Sequence, residues 1–161
     1  MTKSAPKRMR LDTGELEGAK AFKIRDPEKA IELLEDVRPK LAALGACGFL
    51  SEHLMEYGAT YLILVPDPDY QKALIALETP VGQSIDCHDL NQWLKKLEQR
   101  EPFVVTHIGP DLVRARFTGK LKNSKWVAKQ IQEICSEATG SPVAQLAQHL
   151  EKSGELFLWW D

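Results

Sequence analysis

The stretch Thr60-Tyr61-Leu62-Ile63-Leu64-Val65, stopped by Pro66-Asp67-Pro68-Asp69, decides the fold. A β-branched, aromatic and aliphatic run without a polar face is the pattern of a strand covered on both sides, and a doubled Pro-Asp ends it. Downstream, a helix is expected from about Tyr70 to Glu78, then a turn at Pro80-Val81-Gly82. Asp86 opens a helix in which Leu90, Trp93, Leu94 and Leu97 form the one-sided set that a helix must bury. Phe103 to His107 and Leu112 to Phe117 read as strands, and Ile108-Gly109-Pro110-Asp111 between them suits a hairpin. In the second run Val113, Ala115 and Phe117 alternate with Arg114 and Arg116, so one face is core and the other polar. Ser124 is expected to cap a helix that buries Val127, Ile131, Ile134 and Cys135. Ser141-Pro142 starts another, bearing Val143, Leu146, Ala147 and Leu150, and Gly154 ends it. Leu156 to Asp161 closes the chain as a terminal strand.

From Thr60 onward the order is therefore strand, helices, strand, strand, helices, strand. This is the βαββαβ order of a ferredoxin-like split sheet with each single helix replaced by a pair, an α+β class with the paired helices on one face. Thr60 to Val65 and Leu112 to Phe117 would be its central strands. Upstream, Ala21 to Ile24 is a short strand ending at Arg25-Asp26-Pro27, where Asp26 can cap the helix that Pro27 opens. Ile31, Leu34, Val37 and Leu41 recur at helical spacing. Pro39 interrupts them at a cost of about 3 kcal/mol in a helix interior, so a kink or two short helices meeting near Arg38 is expected. Phe49 to Tyr57 reads as a short helix closed by Gly58. Ala21 to Tyr57 would form an added strand-helix layer.

The chain has 161 residues, 43% of them apolar and 27% charged, too apolar and too balanced in charge for a disordered protein. Lys3, Lys7, Arg8 and Arg10 fall in the first ten residues with no acid, which leaves 17 basic against 23 acidic residues, a net of −6, for the remainder. Residues 1–18 are expected to be a disordered basic tail, and residues 19–161 a single α+β domain. An acidic domain lacks the electrostatic footprint of duplex binding, which argues against nucleic acid. No apolar run approaches the ~20 residues of a membrane helix, and the basic leader is not followed by the apolar segment of a signal peptide. Cys47, Cys87 and Cys135 are odd in number and widely spaced, so neither a disulfide framework nor a zinc site is expected, and the cytoplasm is the expected compartment.

Asp86-Cys87-His88-Asp89 is the densest reactive cluster, since a thiol beside an imidazole at a helix start can in principle be activated as a nucleophile. Helix capping by an aspartate explains the same residues without chemistry. Asp67 and Asp69, with Asp161, would suit a divalent cation if they converged, but turn and cap roles account for the first two. His53, His88, His107 and His149 are scattered, and no metal or cofactor is expected. Arg114 and Arg116 share a strand face, and in the terminal strand Phe157 and Trp159 lie on one side and Leu158 and Trp160 on the other. Arginine beside tryptophan is the composition enriched at protein interfaces. The same residues on an open sheet would resemble a stacking platform for single-stranded RNA.

Several of these features also resemble those of a bacterial family designated by number as domain of unknown function 4253. They are Trp93-Leu94, the Asp111 to Phe117 strand, Ile134-Cys135, Thr139-Gly140-Ser141 and the tail Phe157-Leu158-Trp159-Trp160-Asp161. The resemblance spans Asn91 to Asp161. It departs at Ser136-Glu137, where the family has Pro-Asp. It implies a bacterial cytoplasmic protein and no particular activity. The residues themselves favour a non-catalytic protein-binding or regulatory module, such as a small neutralising partner of immunity type, with Arg114, Arg116, Trp159, Trp160 and Asp161 at its binding surface. A small cysteine-dependent enzyme using Cys87 and His88, and a single-stranded RNA-binding sheet, are the alternatives.

Overall fold

The computed structural model describes residues 18–52, 57–80, 83, 85–135 and 140–161. The expected disordered tail, apart from Gly18, lies outside them, as does His53. The described residues form a mixed α+β fold: β1 (Lys20–Lys23), a short 3-10 turn, α1 (Ala30–Ala43), β2 (Cys47–Glu52), β3 (Thr60–Val65), α2 (Gln71–Ala76), α3 (Cys87–Arg100), β4 (Phe103–Ile108), β5 (Leu112–Phe117), α4 (Ser124–Ile134), α5 (Val143–Ser153) and β6 (Glu155–Trp159). Among these residues, no helix is long and apolar enough to cross a membrane.

One six-stranded sheet has the order β1-β3-β2-β4-β5-β6. This is not the ferredoxin-like order, which would place β3 between β5 and β6. The cause is that β1 and β2, from the region expected to form an added layer, take both edges of β3, and Phe49 to Glu52, expected to begin a helix, belong to β2. Cys47-Gly48-Phe49-Leu50-Ser51-Glu52 pairs antiparallel with β3 along its whole length and separates β3 from β4. Its sequence shows no alternation because both faces are covered: Phe49 enters the main core and Leu50 a second one, each fully buried. β3 and β5 are interior strands as expected.

The two faces are covered differently. Apolar residues of α2, α3, α4 and α5 pack with Phe49, Ile63, Val105, Val113, Leu156 and Leu158 on one face, the arrangement expected of the helix pairs. α1 lies on the other, where Ala30 and Leu34 meet Leu50 and Leu62. A Cβ on Gly48 would stand 2.8 Å from Leu41 Cδ1, so glycine permits this close approach of α1 to β2. α1 runs unbroken through Pro39 instead of splitting. Pro39 is exposed near the C-terminal end, and Leu34, Arg38 and Leu41 tie the helix down on both sides of it.

Two caps differ from expectation. Asn123, not Ser124, caps α4 by accepting from Trp126 N at 3.0 Å, which frees the Ser124 hydroxyl to donate to Glu151 at 2.5 Å. Asp26 makes no side-chain cap bond and stands 3.7 Å from Lys29. Asp86 does cap α3, accepting from Asp89 N at 2.8 Å, and Gly154 closes α5 in the left-handed conformation at φ +66°.

The sheet consists of two antiparallel triplets, β1-β3-β2 and β4-β5-β6, joined by one parallel seam with a single paired position, Leu50 with His107. Thr118 N donates to Pro102 O, and by alternation along the ladder the Val105 carbonyl faces away from β5, toward that seam. Arg38 takes it, donating from NH2 at 2.8 Å, while its NH1 donates to the Tyr70 hydroxyl at 3.2 Å.

The chain closes on Trp160. The residue is 3% exposed, its Nε1–H donates to Ile134 O at 2.9 Å, and its backbone N–H donates to Asp111 O at 2.9 Å. Replacing Trp160 with alanine is expected to lower unfolding free energy by about 3–5 kcal/mol, the usual cost of emptying a large aromatic site. Urea denaturation measures it; a loss within the range of exposed substitutions would contradict the anchoring role.

Candidate functional site

The terminal strand turns Leu156, Leu158 and Trp160 into the core and Phe157 and Trp159 to the opposite face, where they are 48% and 40% exposed. β5 pairs with it so that Leu112 stands opposite Trp159, Arg114 opposite Phe157 and Arg116 opposite Glu155. Arg114, Arg116 and Trp159 therefore share one face. Trp160 does not belong to that surface: its side chain is buried on the other side, a consequence of the strand's two-residue period. Asp161 follows at the exposed end, its carbonyl accepting from Gln83 Nε2 at 3.1 Å.

The arginines differ in their partners. Arg116 pairs with Glu35 of α1 at 2.6 Å, an exposed contact of the kind that contributes little to stability. Arg114 has its guanidinium carbon 4.8 Å from the centre of the Phe157 ring, a cation–π contact. Phe157, rather than Trp160, completes the aromatic pair, and the strict alternation of Glu155-Leu156-Phe157-Leu158-Trp159 is the sequence signal for it. One face of the Phe157 ring is thereby occupied, which weakens the case for base stacking.

The edge of β6 is distinctive. Trp160 N bonds Asp111 O and Phe117 N bonds Gly154 O, so along the ladder the even-numbered residues of β6 bond β5 and the backbone groups of Glu155, Phe157 and Trp159 point outward. Glu155 N–H is satisfied by Ser153 Oγ at 3.2 Å, and Trp159 C=O by the Cys135 thiol at 2.9 Å. Between these ends, the Glu155 carbonyl, both backbone groups of Phe157 and the Trp159 N–H have no partner among the described residues. Beside them runs a groove of about 200 Å³ whose walls include Ile131, Leu146, Leu150, Phe157 and Trp159.

The other candidates are placed apart from this surface. Cys87 is half-buried in the first turn of α3, while the His88 ring Nδ1 lies 3.3 Å from Gln71 Nε2, so the structure does not join thiol and imidazole. Asp67 Oδ1 accepts from Asp69 N and its Oδ2 pairs with Lys72, and these bonds hold its carboxyl below the usual carboxylate range. Asp69 accepts from Gln71 N and from Lys95. Among the described residues no three His, Cys, Asp or Glu side chains group as metal ligands. Burial, reinforced by Asp67 and Asp69, pushes the Cys47 thiol up to about 12, so it stays protonated.

The family described as a domain of unknown function (DUF4253) matches residues 61–161. No curated protein matches the chain, and no solved structure does. The matched span runs from β3 through β6 and omits β2, the strand that joins the two halves of the sheet.

His107 stands opposite Arg114 on the open face, and its pKa is held below the ordinary 6.5, first by burial and then by the Arg114 charge, against the smaller pull of Glu52 and Glu155. A histidine that resists protonation in the fold contributes stability that is full above pH 6.5 and is lost as pH falls through the lowered value. Stability measured by urea denaturation is thus expected to decline below pH 6.5, and His107→Gln to flatten that decline. An unchanged slope would show that His107 protonates as readily in the fold as in the unfolded chain.

Proposed function

The chain belongs to the DUF4253 family, and because that membership carries no activity with it, we propose from the geometry of β6 that the protein is a binding module that takes up an extended segment of a partner protein. The observation that carries this reading is the unprotected edge: a row of four outward backbone groups, flanked by two aromatic rings and an apolar groove. Strand addition uses these components, main-chain bonds for affinity and a pocket for alternate side chains for specificity.

The two edges of the sheet differ in a way that supports it. β1, at the other edge, is four residues long and has a lysine at each end, a common means of discouraging pairing. β6 presents Phe157 and Trp159 on its exposed face and has no lysine, proline or bulge. A second copy of β6 is a poor occupant, because its own inward-facing Leu156 and Leu158 are fully buried and cannot fill the groove. A partner side chain can. On the adjoining face Arg116 is matched by Glu35, whereas Arg114 lies against the Phe157 ring with no ion pair among the described residues, a charge that suits an acidic residue on the partner. Neutralising or regulating another protein is a role that such docking would serve.

Phe157→Pro tests the proposal, because it removes an N–H that points to the free edge rather than to β5. A peptide-display selection against the full chain is expected to enrich alternating apolar sequences. Their affinity is expected to drop about tenfold or more in Phe157→Pro, a loss of at least one edge hydrogen bond, with the melting temperature retained. Amide exchange at Phe157 and Trp159 should slow when the peptide binds. No enrichment above background, or binding that Phe157→Pro leaves intact, refutes strand addition. A concentration-dependent dimer broken by the same substitution would assign the edge to a second copy instead.

A further inference from the structure

The seam between the two sheet halves contains a second site, independent of the β6 edge. A cavity of about 330 Å³ opens there between the loop after β3, helix α3 and the start of β4. Its walls are apolar at Leu94, Phe103 and Val105, and polar at Arg38, Tyr70 and Asn91.

Arg38 is the unusual member. It is half-buried and reaches the seam from α1, yet no carboxylate lies within ion-pair distance among the described residues. Its partners are neutral, the Val105 carbonyl and the Tyr70 hydroxyl, and these use two of its five N–H groups. The acids nearby are not available to it. Asp69 is engaged by Lys95 at 2.6 Å and by Gln71 N, and Glu98 at the rim is exposed to water. A desolvated guanidinium normally has an anion beside it, because its charge is costly to bury alone. Its planar fork matches a carboxylate.

We infer that the seam cavity binds a small organic carboxylate, with the acid group on Arg38 and the Tyr70 hydroxyl and an apolar body against Leu94, Phe103 and Val105. At ~30 Å³ for each water-sized group, the cavity holds about ten non-hydrogen atoms. A ring or branched chain bearing one carboxylate is of that size. The Tyr70 hydroxyl, which burial keeps from ionising, stays a donor for the acid.

Phenylacetate is the probe, and phenylacetamide, of the same shape without the charge, is the control. Titration of the ¹⁵N-labelled full chain is expected to give saturable shifts at Asn91, Val104 and Val105 with phenylacetate. Phenylacetamide should bind about tenfold or more weakly, the scale of a lost charge-assisted bond. Arg38→Met should abolish the preference for the acid, and Tyr70→Phe should weaken it while leaving the fold intact. Should Arg38→Met fail to fold, the acid-to-amide ratio in wild type and in Tyr70→Phe still decides. Equal affinity for acid and amide, no saturable shift at the three seam residues, or a preference unaltered by both substitutions overturns the inference.

Discussion

The burial of one indole at the end of the chain determines what the surface presents. Trp160 is fixed by its ring, by its Nε1–H on Ile134 O and by its backbone N–H on Asp111 O, and these contacts set the register of β6 against β5. Because strand side chains alternate, Trp160 inward places Trp159 and Phe157 outward, and Arg114 beneath Phe157 follows from the same pairing. A slip of one residue would bury the exposed rings and expose Leu156 and Leu158. The candidate binding edge is therefore a consequence of core packing rather than of a separate local design.

A second constraint lies at the seam. Parallel strands need a crossover, and the chain supplies one of about fifty residues from β2 through β3, α2 and α3 to β4. The pairing it achieves is short, one register position, so a strand carbonyl near it is left for a side chain to satisfy. Arg38 meets that need from the opposite layer. The cation cannot then be removed without leaving the Val105 carbonyl unpaired, which ties the candidate ligand site to the integrity of the sheet.

Most elements were legible because they have one wet face. The Arg114 and Arg116 alternation and the Leu90–Trp93–Leu94–Leu97 stripe are of this kind, while Thr60 to Val65, covered on both faces, is legible from its unbroken β-branched, aromatic and aliphatic run. β2 was not, and the reason is its position. A strand covered by α1 on one face and the main core on the other shows no alternation, and Gly48 and Ser51 within it resemble loop residues. The topology turns on it, because β2 and β1 occupy the two edges of β3 that the ferredoxin-like order gives to β5 and β6. Periodicity pairs Arg114 with Arg116 on one strand and Phe157 with Trp159 on another, but that the two pairs share a face is decided by the β5–β6 register, which no single strand encodes. The exclusion of Trp160 from that face followed from the same period, and its polarity was set by a bond to Ile134 that no local pattern encodes. Arg38 was invisible as a binding group, since one arginine on an amphipathic helix carries no signal until its distant neighbours are known.

The two sites stand differently toward the family. Every residue of the β6 edge and its groove lies within 61–161, so the geometry there is built from the span that the family shares. The seam cavity takes its walls from that span but its cation from α1, outside it. β2 also lies outside, yet it is the strand through which β3 and β4 are joined in the sheet. The matched span taken alone would have an unpaired β4 edge and the buried faces of β3 uncovered by α1, which is a costly exposure of Leu62 and of backbone groups. Residues 18–52 therefore complete the sheet physically even though the family match does not reach them, and the binding edge at β6 depends on that completion through the continuous ladder from β3 to β6.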